Sequence, residues 1–437
     1  MTLTLALRSL LNLGQSGHNH NVNTANTEVA QRAADALTEL QQIVTNTYSE
    51  ELWRATKAAL AVIASLSLKG RSHPLALIFE GASGKGKSTV INMCNADREA
   101  TKRYVHRIDK FTPASFISQA ANVSKELLAQ IDLLPKLKEK VLLTKELAPL
   151  FRGRDDALRE IFATLTTVLD GKGYVNTSGA HGERGTHEDI IFNWLGATTP
   201  IPARTDGIMA QLGNRLLRYE IIGEDTPEED LIEFLEEYRE SFAEDRCREL
   251  ANTFIENHFS AFPVNSVDSK EIEFPHERRH TLARYARLIS AGRVEVEQVN
   301  VDGQTEYMPG DVEGPARVAL LLQTYARGYA LVSGTMEVGE DAISSVAHIA
   351  LSCIPRNRRK VFRLVLSQRG QIDSTTASRL LNATLPTVRN YMKELAATGL
   401  VKYTESRGNT PLSVSLADEW QWPLPRTVED GGAERET

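Results

Sequence analysis

Apolar residues recur at helical spacing from Glu28 to Leu68: Val29, Ala33, Leu37, Leu40 and Ile43, then Leu52, Ala55, Leu60 and Ile63, with no glycine or proline between them. That periodicity predicts two helices ahead of the first strand. The pattern then changes. Leu75 to Phe79 is a short unbroken apolar run, and 140–144 (KVLLT) is a second. Runs of that length mark strands covered on both faces. A helix is expected over 156–169, a polar glycine-rich hairpin over 172–189, a strand over 190–195, a helix near 207–212 and another strand after Arg215. Strands alternating with helices predict an α/β fold with a parallel sheet covered on both faces.

The last third has its own pattern. Residues 355–416 read as helix, helix, turn, helix and two short strands. The first helix, 358–367, has Val361, Leu364 and Val365 on its apolar side. Asp373 or Ser374 can cap the second, which runs to Leu381. Pro386 suits the first turn of the third, which ends at Gly399 and turns Val388, Tyr391 and Leu395 to the core. Val401–Tyr403 and Leu412–Val414 alternate like paired strands around a loop carrying Arg407.

The ends fall outside both patterns. Residues 1–27 include GQSGHNHNVNTANT, too polar to bury much surface, and are expected to be a flexible arm. His18 and His20 lack a third ligand nearby, so they suggest no metal. The tail 423–437 is charged and rich in glycine and proline and is expected to be disordered. The 437 residues are 41% hydrophobic and 24% charged, the balance of a globular chain of several domains. There is no apolar stretch of 18 residues or more, and the first fourteen residues lack the basic flank of a secretory signal. A cytoplasmic protein with no membrane association is expected. Cys94, Cys247 and Cys353 are too far apart and too few for a disulfide framework and are expected to be buried thiols.

Charge is segregated. Twelve acids face three bases over 223–250, a local −9, whereas eleven bases face three acids over 356–409, a local +8. The acidic run is most simply a solvated helix face. The basic one suggests a module aimed at a polyanion.

The most specific chemistry is Gly81-Ala82-Ser83-Gly84-Lys85-Gly86-Lys87-Ser88, which fits G-x-x-x-x-G-K-[ST] between an expected strand and an expected helix. Glycines let backbone N–H groups wrap phosphates, and the helix N-terminus adds its positive end. In such a P-loop Lys87 pairs with the β- and γ-phosphates of ATP, Ser88 holds the Mg²⁺ that bridges them, and Thr89 follows in the helix. Residue 146, at the end of the second apolar run, is a glutamate able to polarise an attacking water.

The order of these parts resembles the AAA+ ATPases, particularly the minichromosome-maintenance helicases and the bacterial enhancer-binding activators, which carry a hairpin before the first sensor. The resemblance spans about residues 70–352. It implies a three-layer P-loop NTPase core over 70–222, after N-terminal helices over 28–69, then an acidic helical connection and α-helical lid over 223–352. It also implies roles: Glu146 as catalytic glutamate, Thr199 as the sensor that positions water, Arg215 as an arginine finger reaching a neighbouring subunit's nucleotide, and Arg317, on a lid helix, at the second-sensor position. A finger supplied by a neighbour implies a homo-oligomeric ring. This sequence departs from the family at two points: Lys145 stands where a metal-supporting acid is usual, and Thr199 where the sensor is usually asparagine. Lys145 removes a carboxylate from the surroundings of Mg²⁺ and slows hydrolysis unless Asp109, Asp132 or another acid substitutes.

Residues 355–416 resemble the winged helix-turn-helix domain. In that domain the third helix enters the major groove and the wing touches backbone or minor groove. Thr387, Arg389, Asn390 and Lys393 then face outward toward bases and phosphates, with Arg407 at the wing tip. Lys172, His181, Arg184 and His187 on the earlier hairpin could touch a strand in a central channel, or form a plain exposed loop. Together these features imply an ATP-hydrolysing, DNA-binding motor or remodeller of the replication or helicase type. The alternatives are an ATP-controlled transcription regulator or defence switch with slow or no hydrolysis, and a protein remodeller whose winged helix only docks its targets.

Overall fold

The first apolar run becomes β1 (Leu75–Glu80), buried at every position. In chain order the next strands are β2 (Val105–Arg107), β3 (Val141–Thr144), the hairpin β4 (Tyr174–Ser178) and β5 (Gly182–Thr186), β6 (Asn193–Thr198) and β7 (Leu216–Glu220). Five of them form one sheet in the order β2-β3-β6-β1-β7, parallel throughout, with β1 between β6 and β7. The fold is therefore mixed α/β with a parallel five-stranded core. The computed structural model describes residues 20–117, 131–178, 182–213, 215–223, 228, 232, 240–405 and 411–420.

Side chains alternate across a strand, so one sheet feeds two cores. Leu75, Leu77 and Phe79 of β1 face one layer, and Ala76 and Ile78 the other. Helices of seven residues or more are numbered here along the chain. The first layer holds α1 (His20–Thr47), α2 (Glu50–Ala64), α3 (Lys87–Met93), the later helices α6 (Glu240–Ala261) and α7 (His276–Gly292), and α8 (Ala316–Val332) and α9 (Glu340–Ser352). The second is built on α4 (Asp155–Val168), through Leu158, Phe162 and Leu165, and α5 (Ala203–Leu212), through Ile208 and Met209. Helix α2 lies deepest: eleven of its fifteen residues are buried. Asn193, fully buried at the start of β6, ties α2 to the sheet, its Nδ2 donating to the Val62 carbonyl (2.7 Å) and to Ser65 Oγ (2.9 Å).

Several expectations shift. Helix α1 starts at His20, inside the segment expected to be a flexible arm. Strand β6 begins three residues later than expected, because Ile190 and Phe192 fill the second core as a connection rather than as strand. In the described part of the acidic segment Asp245 and Glu249 are exposed, as expected of a solvated face, while the opposite side of α6 buries Cys247 and Leu250, continued by Ala251 and Phe254. A hairpin of β8 (Val296–Val301) and β9 (Gln304–Pro309) was not expected at all, although Asp302 (φ 51°) and Gly303 (φ 82°) form the Asp-Gly turn that favours one. The three cysteines are buried. Among the described residues no helix is long and apolar enough to cross a membrane.

The C-terminal elements are α10 (Arg356–Ser367), β10 (Gln371–Asp373), α11 (Ser374–Leu380), α12 (Leu385–Ala397), β11 (Val401–Thr404) and β12 (Ser413–Leu416), the strands forming an antiparallel sheet of order β10-β12-β11. Asp373 caps α11, accepting from the Thr375 (2.8 Å) and Thr376 (3.0 Å) amides. Phe362 takes the buried place expected of Leu364, and Met392 that expected of Tyr391, which is only partly covered. This module shares one continuous core with α7 to α9.

Two histidines sit in that core. His258 meets Ser67 Oγ (3.1 Å), and His348 donates from Nε2 to the Glu220 carbonyl (2.8 Å). Burial lowers both to about 4, aided for His348 by Arg363. The unfolded chain, with histidines near 6.5, therefore binds more protons between pH 6.5 and 4. Stability is fully present above pH 6.5 and falls through that window, by about 3 kcal/mol for each histidine. Urea unfolding as a function of pH should show this loss, and His258→Gln should flatten the slope if the variant folds.

Candidate nucleotide site

The glycine-rich loop follows β1 at the carboxyl end of the parallel strands, where ligands of open α/β sheets gather. Each glycine has a local reason. Gly84 (φ 80°) and Gly86 (φ 79°) adopt left-handed backbone, and a Cβ on Gly81 would lie 2.4 Å from the Ile221 carbonyl oxygen. A Cβ on Gly86 would lie 2.5 Å from Leu52 Cδ1, so the N-terminal end of α2 walls the loop. The same end of α2 supplies Glu51, whose carboxylate accepts the Ile222 and Gly223 amides at 2.8 Å each. Ala82, Ser83 and Gly84 are exposed, Lys85, Ser88 and Thr89 are half-buried, and α3 starts at Lys87.

Lys87 is buried and donates from Nζ to the Ala82 carbonyl, lying across the loop. Burial lowers its pKa and the charge of Glu146 opposes the shift, so the lysine and the glutamate sit within electrostatic reach of one another. Glu146 is exposed past the end of β3, with Oε1 accepting the Ala148 amide (2.7 Å). Thr199 follows β6 at the same end of the sheet, and its Oγ1 accepts from Arg152 Nη2 (3.1 Å). The strand ends thus gather Lys87, Ser88, Glu146 and Thr199 at one edge. Arg152 was missed in the sequence, where nothing separates it from the other basic residues of FRGRDD. Lys145 is half-buried beside Glu146. Of the acids that could replace the missing carboxylate, Asp109 is held by Arg107 through both oxygens at 3.0 Å.

The expected arginines lie elsewhere. Arg215 immediately precedes β7 and therefore sits at the amino end of the strands, a strand length of roughly 20 Å from this chain's own loop. It pairs with Asp170 (3.0 Å) and approaches Glu313 (3.7 Å). Arg317 meets the same Asp170 oxygen at 2.6 Å. Arg317 thus lies with Arg215 around Asp170, away from this chain's own loop. Arg218, the second member of the expected basic pair, is fully buried against Asp206. Burial pulls its pKa down, but Asp206 and Glu80 outweigh burial and hold the guanidinium charged.

The basic C-terminal module is also partly turned inward. Arg358 binds Glu394 (2.7 Å) and the Val294 carbonyl, and Arg359 and Arg363 bind Glu220 at 2.8 Å each. Three of the bases counted toward a polyanion are thus neutralised inside the protein. On α12, Asn390 is exposed, Arg389 and Lys393 are half-buried, and Thr387 bonds Thr384 (2.8 Å). Glu394 raises the Tyr307 pKa after burial does, placing β9 beside one flank of α12. Arg407 lies outside the described residues, as does His181. On the earlier hairpin Lys172 pairs with Asp189 (2.6 Å) and His187 with Glu183 (3.0 Å).

No family model matches the chain, and no curated protein matches it. Among the solved structures that match is a putative ATPase from Cytophaga hutchinsonii, at 12% identity, covering 76% of this chain and 90% of that one with a TM-score of 0.39. A likeness that loose carries neither a residue nor an activity across. The reading of the site rests on its own geometry.

Alanine at Gly81 would press on a backbone carbonyl, whereas alanine at Gly84 meets nothing within 4 Å and suffers only its positive φ. Gly81→Ala should therefore cost more, about 1–3 kcal/mol against roughly 1 kcal/mol. Paired denaturant titrations check the order.

Proposed function

We propose that the chain is a P-loop ATPase of the AAA+ type that binds Mg-ATP at 81–89 and binds DNA through a winged helix at 355–416. The observation that carries the nucleotide reading is the buried Lys87 lying across a glycine cradle within electrostatic reach of Glu146. The cradle fits a triphosphate because a side chain at Gly81 or Gly86 would collide with Ile221 or Leu52. A bound Mg-triphosphate supplies the scissile phosphoanhydride and the cation that screens its charge. The chain's own residues do the rest: backbone amides of 82–87 and Lys87 hold phosphate oxygens, Ser88 offers a hydroxyl to the cation, and Glu146 and Thr199 hold and orient water. Arg215 and Arg317, gathered on Asp170 at the opposite end of the sheet, would face a neighbouring subunit's nucleotide in a ring, leaving Asp170 to do so. Asn390, Arg389, Lys393 and Thr387 on α12, with Arg407, would meet DNA.

A second reading is favoured by Lys145 and by the engagement of Asp109 with Arg107. With lysine at 145 and Asp109 held by Arg107, the protein would act as a slow or non-hydrolysing switch in which binding alone sets conformation.

Turnover of ATP with and without duplex DNA separates the two. DNA-stimulated phosphate release that is lost in Lys87→Ala and Glu146→Gln is expected for the motor. Tight ATP binding with no release, DNA present or absent, would assign the switch. Lys145→Asp should raise any slow basal rate. DNA affinity should fall steeply between ~50 and ~200 mM salt if α12 grips phosphates, and a salt-independent or undetectable affinity would remove DNA from the account.

A further inference from the structure

The last residue before the glycine loop is a buried glutamate, Glu80, 1% exposed. A lone carboxylate there would be strongly destabilising, and it is not alone. Its Oε1 accepts the Ile201 amide (3.1 Å), two residues beyond Thr199. Its Oε2 faces both Nη atoms of Arg359, each at 3.5 Å. Arg359 belongs to α10, the first helix of the C-terminal module, and its side chain is 2% exposed. The guanidinium also donates to Glu220 Oε1 (2.8 Å), at the end of β7, and to the Ile354 carbonyl (3.2 Å). Arg363, one turn on, holds the other Glu220 oxygen at 2.8 Å. Glu80 lies close enough to act on both Arg218 and Asp206, and Arg359 on Asp206. Three carboxylates and three guanidiniums thus meet beneath the loop, contributed by β1, β7, α5 and α10.

We propose that Arg359 is a positioning residue that links the occupancy of the glycine loop to the seating of the C-terminal module. Only one peptide bond separates Glu80 from Gly81. Gly81 cannot shift freely, since its amide donates to the Thr198 carbonyl (3.3 Å) and Ile221 closes its other side. Ordering the loop around phosphates therefore acts on the end of β1 and on the carboxylate there. The guanidinium is anchored on the Ser352 carbonyl and shared unequally between two carboxylates, with a shorter contact to Glu220 and a longer one to Glu80. In a low-dielectric interior the energy of such sharing is sensitive to small displacements. A change at Glu80 is thus felt at Arg359, and through it along α10, to whose module α12 belongs. By linkage the effect is reciprocal: whatever the module binds alters nucleotide affinity by the same factor. The inference rests on the nucleotide reading of the loop but not on the identity of the module's partner.

Amide hydrogen exchange across α10 tests it, measured on the full chain with and without saturating Mg-ATP, with nucleotide binding followed in parallel by calorimetry. Wild type should gain protection over 357–367 by about five-fold or more. Arg359→Lys keeps the charge but loses the fork that spans both carboxylates, and Glu80→Gln keeps the shape but loses the charge. Both should still bind Mg-ATP and show little gain in protection. Arg363→Gln breaks a contact to Glu220, leaves the Glu80–Arg359 pair, and should keep the response. Nucleotide binding by wild type with unchanged exchange in α10 would overturn the linkage and leave the nucleotide reading standing. So would a normal response in Arg359→Lys and Glu80→Gln, or loss of nucleotide binding in both, which would make the pair a support of the loop rather than a link. No nucleotide binding by wild type would remove both readings together.

Discussion

The first strand, paired on both sides by β6 and β7, ends in the protein interior, and it ends in a charge. Glu80 is covered on every side, so the fold has to bring it partners. They come from distant parts of the chain: the Ile201 amide after β6 and the Arg359 guanidinium at the start of the C-terminal module. Glu220, at the neighbouring strand end, shares Arg359 and adds Arg363. Removing Arg359 would leave Glu80 buried without the guanidinium it faces, at a cost of about 3–5 kcal/mol. The arrangement of β1, β6, β7 and α10 around one another follows from that requirement as much as from the apolar core.

The same constraint shapes the candidate site. With β1 held at its end, the glycine loop leaves the sheet in a fixed direction, between α2 on one side and Ile221 on the other. The N-terminal helices, which could have been an appendage, are a wall of the site: Leu52 limits Gly86 and Glu51 holds the amides after β7. Sheet geometry then sorts the polar side chains by strand end. Glu146 and Thr199 stand with the loop, and Arg215, Arg317 and Asp170 stand at the other end.

The parts of this design that were legible in the sequence are those written in local pattern. The run 75–79, the glycine spacing of 81–88 and the polar hairpin near 172–189 appear where their residue types predict them, and so do the three helices and last two strands after 355, although the strand β10 between the first two helices was not expected. Partnerships between distant charges were not legible. Arg218, Arg358, Arg359 and Arg363 count as surface bases in a composition, yet each is neutralised by a carboxylate far away in sequence. Glu80 reads as the edge of an apolar strand, and nothing local marks it as a hub. In the acidic segment the exposed Asp245 and Glu249 were legible as a solvated face, but the buried stripe Cys247, Leu250, Ala251 and Phe254 on the other side of α6 was not. The β8–β9 hairpin was not expected, although Asp302-Gly303 is a clear Asp-Gly turn.

The central claim is that the cradle between α2 and β7 holds a triphosphate, with Lys87 as its buried cation. Calorimetric titration of the full chain with Mg-ATP, beside Lys87→Ala, addresses it most directly. The account requires saturable binding by the wild type at one site per chain and its loss in the variant. An absence of heat with wild type across a range of temperatures, or equal binding by the two proteins, would contradict it.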